Sequence, residues 1–200
     1  MLKLLIATSN RGKAIEYRQI FSDLPIELLT LADKGISEIV EEQYYTYAEN
    51  ALHKALSYAE ISHVITLADD SGLEVDALNG QPGITSARYA GKEASDKQRV
   101  TYLLGKLGGI PWERRTARFK CVIAICLPTG KSGIFMGECE GFIGLEPKGV
   151  NGFGYDPIFY FPDMQQTMAE LSSELKNRIS HRALAAQKAR EMLKEMVEKS

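Results

Sequence analysis

A short apolar run, Leu2 to Ala7, constrains the fold more than any other feature of this sequence. It has the length of a strand, and its apolar residues occupy both phases of the alternation. Such a strand is buried on both faces of its sheet. Helical spacing follows at once. From about Gly12 the apolar positions Ala14, Tyr17, Ile20, Phe21 and Leu24 recur with an α-helical period, and Pro25 ends the run. Ile26 to Leu31 reads as a second strand. A second helix from about Tyr47 to Ile61 carries Ala48, Ala51, Leu52, Ala55 and Ala59 on one face. Val64 to Ala68 reads as a strand that ends on Asp69 and Asp70.

The second half continues in a different rhythm. Residues 79–91 are rich in Gly, Pro and Ser and read as a loop. Ser95 and Gln98 have the spacing of a capping box, opening a helix that holds Val100, Leu103, Leu104 and Leu107 and stops at Gly108 to Pro111. Thr116 to Leu127 and Gly133 to Gly141 read as two long strands joined by a turn over Pro128 to Lys131. Tyr155 to Phe161 reads as a further strand. Ser180 caps a last helix with Ala185, Ala189, Met192, Leu193 and Met196 inward. Strands alternating with helices, then a hairpin, predict an α/β fold: a mixed sheet flanked by helices, with residues 1–200 as one domain.

Composition excludes several classes. Hydrophobic residues make up 44% and charged residues 25%, the balance of an ordinary globular protein. A net charge of −2 supplies no basic field for nucleic acid, and no apolar stretch has membrane-spanning length. The three cysteines, Cys121, Cys126 and Cys139, lie in β-like apolar sequence without metal-type spacing, which fits a reducing cytoplasm. Familiar motifs also fail. Gly130-Lys131-Ser132 lacks the earlier glycine of a P-loop, because Ile125 stands there. The glycines from Gly149 to Gly154 are wrongly spaced for a dinucleotide fingerprint, and Ser71 lacks the preceding glycine of a nucleophile elbow. His53, His63 and His181 show no zinc pattern.

What remains is a set of charged and glycine-rich segments. Thr8-Ser9-Asn10-Arg11-Gly12-Lys13 joins the first strand to the first helix, where unpaired N–H groups and the helix dipole suit phosphate. Asp69-Asp70-Ser71-Gly72 follows a strand, the usual place for catalytic and metal groups in α/β proteins. Hard oxygen ligands select magnesium, which keeps waters and shares substrate phosphates. Glu41-Glu42 supplies a second metal carboxylate or complements the dipole of the next helix. Lys54, four residues after Asn50, shares its helix face. Gly152-Phe153-Gly154-Tyr155-Asp156-Pro157 sets an aromatic between glycines, an arrangement that exposes a ring for stacking on a nucleobase. Lys176 and Ser180-His181-Arg182 place donors at the start of the last helix.

Together these segments resemble the non-canonical purine nucleoside triphosphate pyrophosphatases, the family that hydrolyses inosine and xanthosine triphosphates. The resemblance rests on Thr8 to Lys13, Tyr47 to Ala55, Ala68 to Leu73 running on to Pro82 to Gly91, Gly152 to Phe159, and Ile179 to Ala183, in family order. Tyr47 stands where the family more often has Phe, and Ser9 where Gly or Thr is common. The Maf-like pyrophosphatases are a rival, but their first loop usually reads Ser-Pro-Arg-Arg. The resemblance implies an elongated mixed sheet, two lobes with an active-site cleft between them, and a cytoplasmic homodimer. It implies a nucleoside triphosphate as substrate and Mg2+ as cofactor. Thr8, Ser9, Asn10, Arg11, Gly12, Lys13 and Lys54 would hold the triphosphate. Asp70 would be the general base and a metal ligand, supported by Asp69, with Ser71 touching substrate. Glu42, in preference to Glu41, would be the second metal carboxylate. Phe153 would stack on the base, Gly154 would bind substrate beside it, and Tyr155, Asp156, Lys176, His181 and Arg182 would line the base and sugar pocket.

Overall fold

A computed structural model describes residues 1–199. In chain order the elements are β1 (Leu2–Ile6), α1 (Arg11–Ile20), β2 (Ile26–Thr30), α2 (Tyr47–Ser62), β3 (Ile65–Val75), β4 (Pro82–Gly83), α3 (Asp96–Lys106), β5 (Thr116–Cys126), β6 (Ser132–Ile143), β7 (Phe159–Phe161), β8 (Gln166–Thr167), α4 (Ser173–Ile179) and α5 (His181–Glu198). Neighbouring strands follow the order β2-β1-β3-β5-β6-β7-β8, with β4 against β3. β1 runs parallel to β2 and β3, whereas β4 and β7 pair antiparallel with β3 and β6. The sheet is therefore mixed and flanked by helices, as the alternation of patterns predicts. Among the described residues no helix is long and apolar enough to cross a membrane.

The chain forms two compact units. The first comprises residues 1–70, 121–137 and those from Arg182 onward. Here strand alternation sorts side chains onto two faces. Leu4, Ile6, Leu67, Cys121, Ile123 and Ile125 pack with Tyr17 and Phe21 of α1 and Ala185, Ala189 and Leu193 of α5. Leu5, Ala7, Ala68, Val122, Ala124 and Cys126 pack with Ala51, Ala55, Tyr58 and Ala59 of α2. Both faces of β1 are thus covered, which is why its sequence is apolar on both phases. The second unit comprises residues 71–120 and 138–181. Its core gathers Leu73 and Val75 of β3, Val100, Leu103 and Leu107 around α3, and Phe119, Ile143, Ile158 and Phe159. The buried Arg115 closes the end of α3, donating from Nη2 to the Leu107 carbonyl at 2.8 Å and from Nε to that of Ile110 at 3.0 Å.

Three sequence expectations need correction. β3 does not end at the acidic pair but runs on to Val75, so Asp69 and Asp70 lie mid-strand. The strand continues because Leu73 and Val75 are buried in the second core and the acids find partners inside the protein. The expected strand from Tyr155 begins only at Phe159, after a 3-10 turn over Asp156–Ile158. Pro157 has no N–H to give a ladder, and the Asp156 carboxylate turns the chain by accepting the Phe153 N–H. The last helix is preceded by α4, whose seven residues give too short a period to read. Ser180 terminates α4 and directly precedes α5.

Candidate active site

The first unit holds most of the charged candidates, and β3 organises them. Asp69 and Asp70 are adjacent on a strand, so they leave it on opposite faces. Asp69 shares its phase with Leu67 and meets groups from the α1 and α5 side. Its Oδ2 is 2.8 Å from Lys13 Nζ, 3.5 Å from Arg182 Nη2 and 3.8 Å from the Cys121 thiol. Asp70 shares its phase with Ala68 and meets α2: its Oδ2 accepts from Asn50 Nδ2 at 3.0 Å. Both carboxylates are buried, yet their proton affinities diverge. Burial alone would raise Asp69, but Lys13, Arg182 and Lys54 outweigh it and hold the carboxyl well below the usual range. For Asp70, burial first and Glu42 second push the carboxyl up to about 6, against the opposing pull of Lys54, Lys13 and Asn50. One acid is a fixed anion. The other can exchange a proton near neutral pH.

The cations are placed by local sequence. Asn10 caps α1, its side chain accepting from the Lys13 N–H at 3.1 Å. The first turn of α1 holds Arg11 and Lys13 and no acid. Positive side chains there oppose the helix dipole, a local cost consistent with an anion binding at this end. Thr8, Gly12 and Lys13 are half-buried, and Ser9, Asn10 and Arg11 are exposed. Lys54, one turn along α2 from Asn50, lies 2.5 Å from Glu42 Oε1 and donates to the Asp69 carbonyl at 2.5 Å. Burial opposes its charge, but Glu42, Asp69 and Asp70 together leave Lys54 above the ordinary lysine value. Glu42 rather than Glu41 makes this contact, and Glu41 is exposed.

Two residues that sequence reasoning missed complete this unit. The buried Asn50 accepts the Tyr44 N–H at 3.0 Å and donates to the Tyr44 carbonyl at 3.3 Å, so it ties the loop carrying Glu42 to Asp70. Glu16 is 2.7 Å from Arg182 Nη1. Its position three residues after Lys13, on one face of α1, was the available signal. Arg182, 1% exposed, directs its guanidinium to Glu16 and Asp69.

The second unit brings together the glycine-aromatic segment. Phe153 is half-buried, and its N–H donates to Asp156 Oδ2 at 2.9 Å. Lys176 Nζ lies 2.5 Å from the same Asp156 oxygen and 4.9 Å from the centre of the Phe153 ring. Gly152 has φ +76°, and a Cβ there would stand 2.0 Å from Asp156 Oδ2. Tyr155 is buried and donates from its hydroxyl to the Ser86 carbonyl at 2.9 Å, a packing position. His181 is buried and stacked on Phe119, centroids 4.6 Å apart. Ser71 is half-buried, the first residue of β3 within this unit.

Among the described residues no group of three or more His, Cys, Asp or Glu side chains forms a ready cation cage. The chemistry of Asp70 and Glu42 nonetheless fits magnesium. Burial first and Glu42 second raise the Asp70 carboxyl, and a divalent ion held by the two carboxylates would relieve both. Magnesium characteristically takes one or two carboxylates and completes its shell with water and phosphate.

The fold defines a class: an α/β protein whose first unit holds a buried acid pair with two lysines and whose second unit holds a glycine-aromatic loop. The chain belongs to the Ham1 family, whose model matches residues 4–192. It is 49% identical over 193 residues to a dITP/XTP pyrophosphatase of Desulforamulus reducens, covering 96% of each chain. It is 47% identical over 199 residues to the dITP/XTP pyrophosphatase of a Listeria monocytogenes strain, covering 100% of this chain and 98% of that one. The solved structure of a HAM1 protein from Coxiella burnetii is similar over 98% of this chain, with TM-score 0.87 and 42% identity.

Proposed function

We propose that this chain hydrolyses non-canonical purine nucleoside triphosphates, dITP, XTP and ITP, to the monophosphate and pyrophosphate, keeping them out of DNA and RNA. The observation that carries the reading is geometric: adjacent acids part to opposite faces of β3, Asp69 onto Lys13 at 2.8 Å and Asp70 onto Asn50 at 3.0 Å, with Lys54 2.5 Å from the Asp69 carbonyl. A fixed anion anchors a phosphate-facing lysine while its neighbour keeps a proton affinity suited to base catalysis. The relatives named dITP/XTP pyrophosphatase supply the substrate class.

In this reading Asp70 orients a water and takes its proton as the oxygen attacks the α-phosphorus. The bond from that phosphorus to the bridging oxygen breaks, and pyrophosphate leaves. Lys13 and Lys54, with the N–H groups of the first turn of α1, stabilise the charge on the leaving group. Glu42 and Asp70 would hold Mg2+, which when bound neutralises phosphate charge. Asp69, itself paired with Arg182, acts one step back and holds Lys13 in place. In the second unit Phe153 stacks on the purine. Lys176 carries only donors, so it suits the 6-keto oxygen of hypoxanthine or xanthine and would oppose the 6-amino group of adenine, at about 1–3 kcal/mol per unpaired buried group. A cytoplasmic homodimer completes the reading: the family resemblance supports the dimer, and three buried free thiols fit a reducing compartment.

Pyrophosphate release from dITP, XTP, ITP, ATP and GTP, with Mg2+ and with chelator, tests this. Rapid, magnesium-dependent turnover of the first three is expected. Equal turnover of ATP and ITP would contradict the selectivity, and no release from any of them would contradict the activity.

A further inference from the structure

Asp96 lies outside the segments that carry the family resemblance, yet it reaches the glycine-aromatic loop. It is the first residue of α3, directly after the cap Ser95. Its carboxylate is divided between two partners. Oδ2 accepts the backbone N–H of Gly154 at 2.7 Å, 58 positions away, and Oδ1 takes Arg99. Arg99 also donates to the carbonyls of Ala87 at 3.0 Å and Ala94 at 2.5 Å, which fixes the base of the arrangement.

Capping α3 does not account for this. Ser95 and Gln98 already form a complete capping box, and Oδ2 of Asp96 is directed at a distant loop. The Phe153 N–H is held by Asp156 and the Gly154 N–H by Asp96, so two carboxylates grip the backbone on either side of the Phe153 side chain. Gly154 has φ +63° and no side chain to pack, so its N–H is the handle by which it can be held. Charge-assisted bonds of this kind are about twice as strong as neutral ones.

We propose that Asp96 is a positioning residue for base recognition: through the Gly154 amide it fixes the loop that presents the Phe153 ring. The proposal rests on the reading of Phe153 as the stacking partner of the purine. Asp96 touches no substrate itself.

The test uses the full chain. With dITP, Asp96→Ala is expected to raise KM about tenfold, the scale of losing one hydrogen bond to a charged group, while kcat stays within about threefold. In a Phe153→Ala background the same change should alter KM less than about twofold, because both act through one ring. A tenfold effect in both backgrounds overturns the proposal. Asp96→Asn keeps an oxygen for the Gly154 N–H and serves as the second variant should the alanine fail to fold. Its KM is expected to lie between wild type and the Phe153→Ala value, and a KM as high as that value counts against the role. Hydrogen exchange on the ligand-free protein gives a readout independent of turnover. Exchange at the Gly154 amide should quicken about tenfold or more in Asp96→Ala, with the Leu103 amide of α3 unchanged. Unaltered exchange at Gly154 refutes the positioning role, whereas absent dITP turnover in the wild type refutes the proposed function and leaves exchange to judge Asp96.

Discussion

Replacing Asp70 with Asn should make the ligand-free protein more stable while removing most of its activity. The carboxyl is raised to about 6 in the fold against an ordinary 3.8. That gap, at about 1.4 kcal/mol per pH unit, corresponds to about 3 kcal/mol. The native state binds the proton more tightly than the unfolded chain does. The associated stability is therefore fully present below 3.8 and is lost as the pH rises through about 6. At pH 8 the wild type carries the whole penalty of an ionised, buried carboxylate beside Glu42. Asparagine has nearly the same shape, keeps an acceptor for Asn50 Nδ2 and carries no charge. A gain of about 3 kcal/mol raises the melting temperature of a chain this size by roughly 6–12 °C. The assay is thermal unfolding of wild type and Asp70→Asn in chelator at pH 8 and at pH 4. The gain should be near full at pH 8 and small at pH 4, where the wild-type carboxyl is already largely neutral. Pyrophosphate release should fall about a hundredfold or more. A variant no more stable than wild type at pH 8, or equally stabilised at both pH values, would refute the account of Asp70 as a strained anion.

Four further outcomes are expected. Glu42→Gln should raise the magnesium concentration needed for half-maximal turnover by about tenfold or more, with kcat at saturating metal changing less; an unshifted magnesium titration would exclude Glu42 as a ligand. Asp69→Asn should act opposite to Asp70→Asn, costing about 3 kcal/mol in urea denaturation because Lys13 and Arg182 lose a buried counter-charge, and an unchanged midpoint would contradict that network. Gly152→Ala should cost about 1–3 kcal/mol and raise KM, since a Cβ there meets Asp156 at 2.0 Å on a backbone with φ +76°; wild-type melting and KM would count against it. The pH profile of kcat/KM should fall on the acid side with an inflection between about 4 and 6, because a cation beside Asp70 favours its ionised form, and a profile flat from about pH 3.5 to 8 would remove Asp70 as the base.

Much of this was legible in the sequence because periodicity reports burial directly. β1 reads as apolar on both phases because helices cover both of its faces. The two-residue strands β4 and β8 and the seven-residue helix α4 were not legible, since two positions cannot show strand alternation, two turns cannot establish a helical period, and their existence depends on distant partners. The site followed the same division. Lys13, Lys54, Asp69, Asp70 and the Gly152 to Asp156 segment are each ambiguous taken alone and stand out as candidates only together, through the family resemblance. Alternation predicts that Asp69 and Asp70 part company, but not which receives the cations, because Lys13 and Arg182 come from opposite ends of the chain. Asp96 gave no local hint beyond helix initiation, because its partner amide is 58 positions away.

Asp69 and Asp70 are the same chemical group one peptide apart, so their duties are assigned by odd and even count along a strand. The parallel ladder that aligns Leu4 with Ile65, Leu5 with Thr66 and Ile6 with Leu67 fixes that count. A single residue inserted or deleted in the connection from α2 to β3, if absorbed as a slip of the strand, would turn each acid to the other's face without altering either one. A slip of two would restore their sides but displace them lengthwise. The tolerance of this short connection to changes in length therefore probes the proposed division of roles between the two acids, though no residue in it need ever meet a nucleotide.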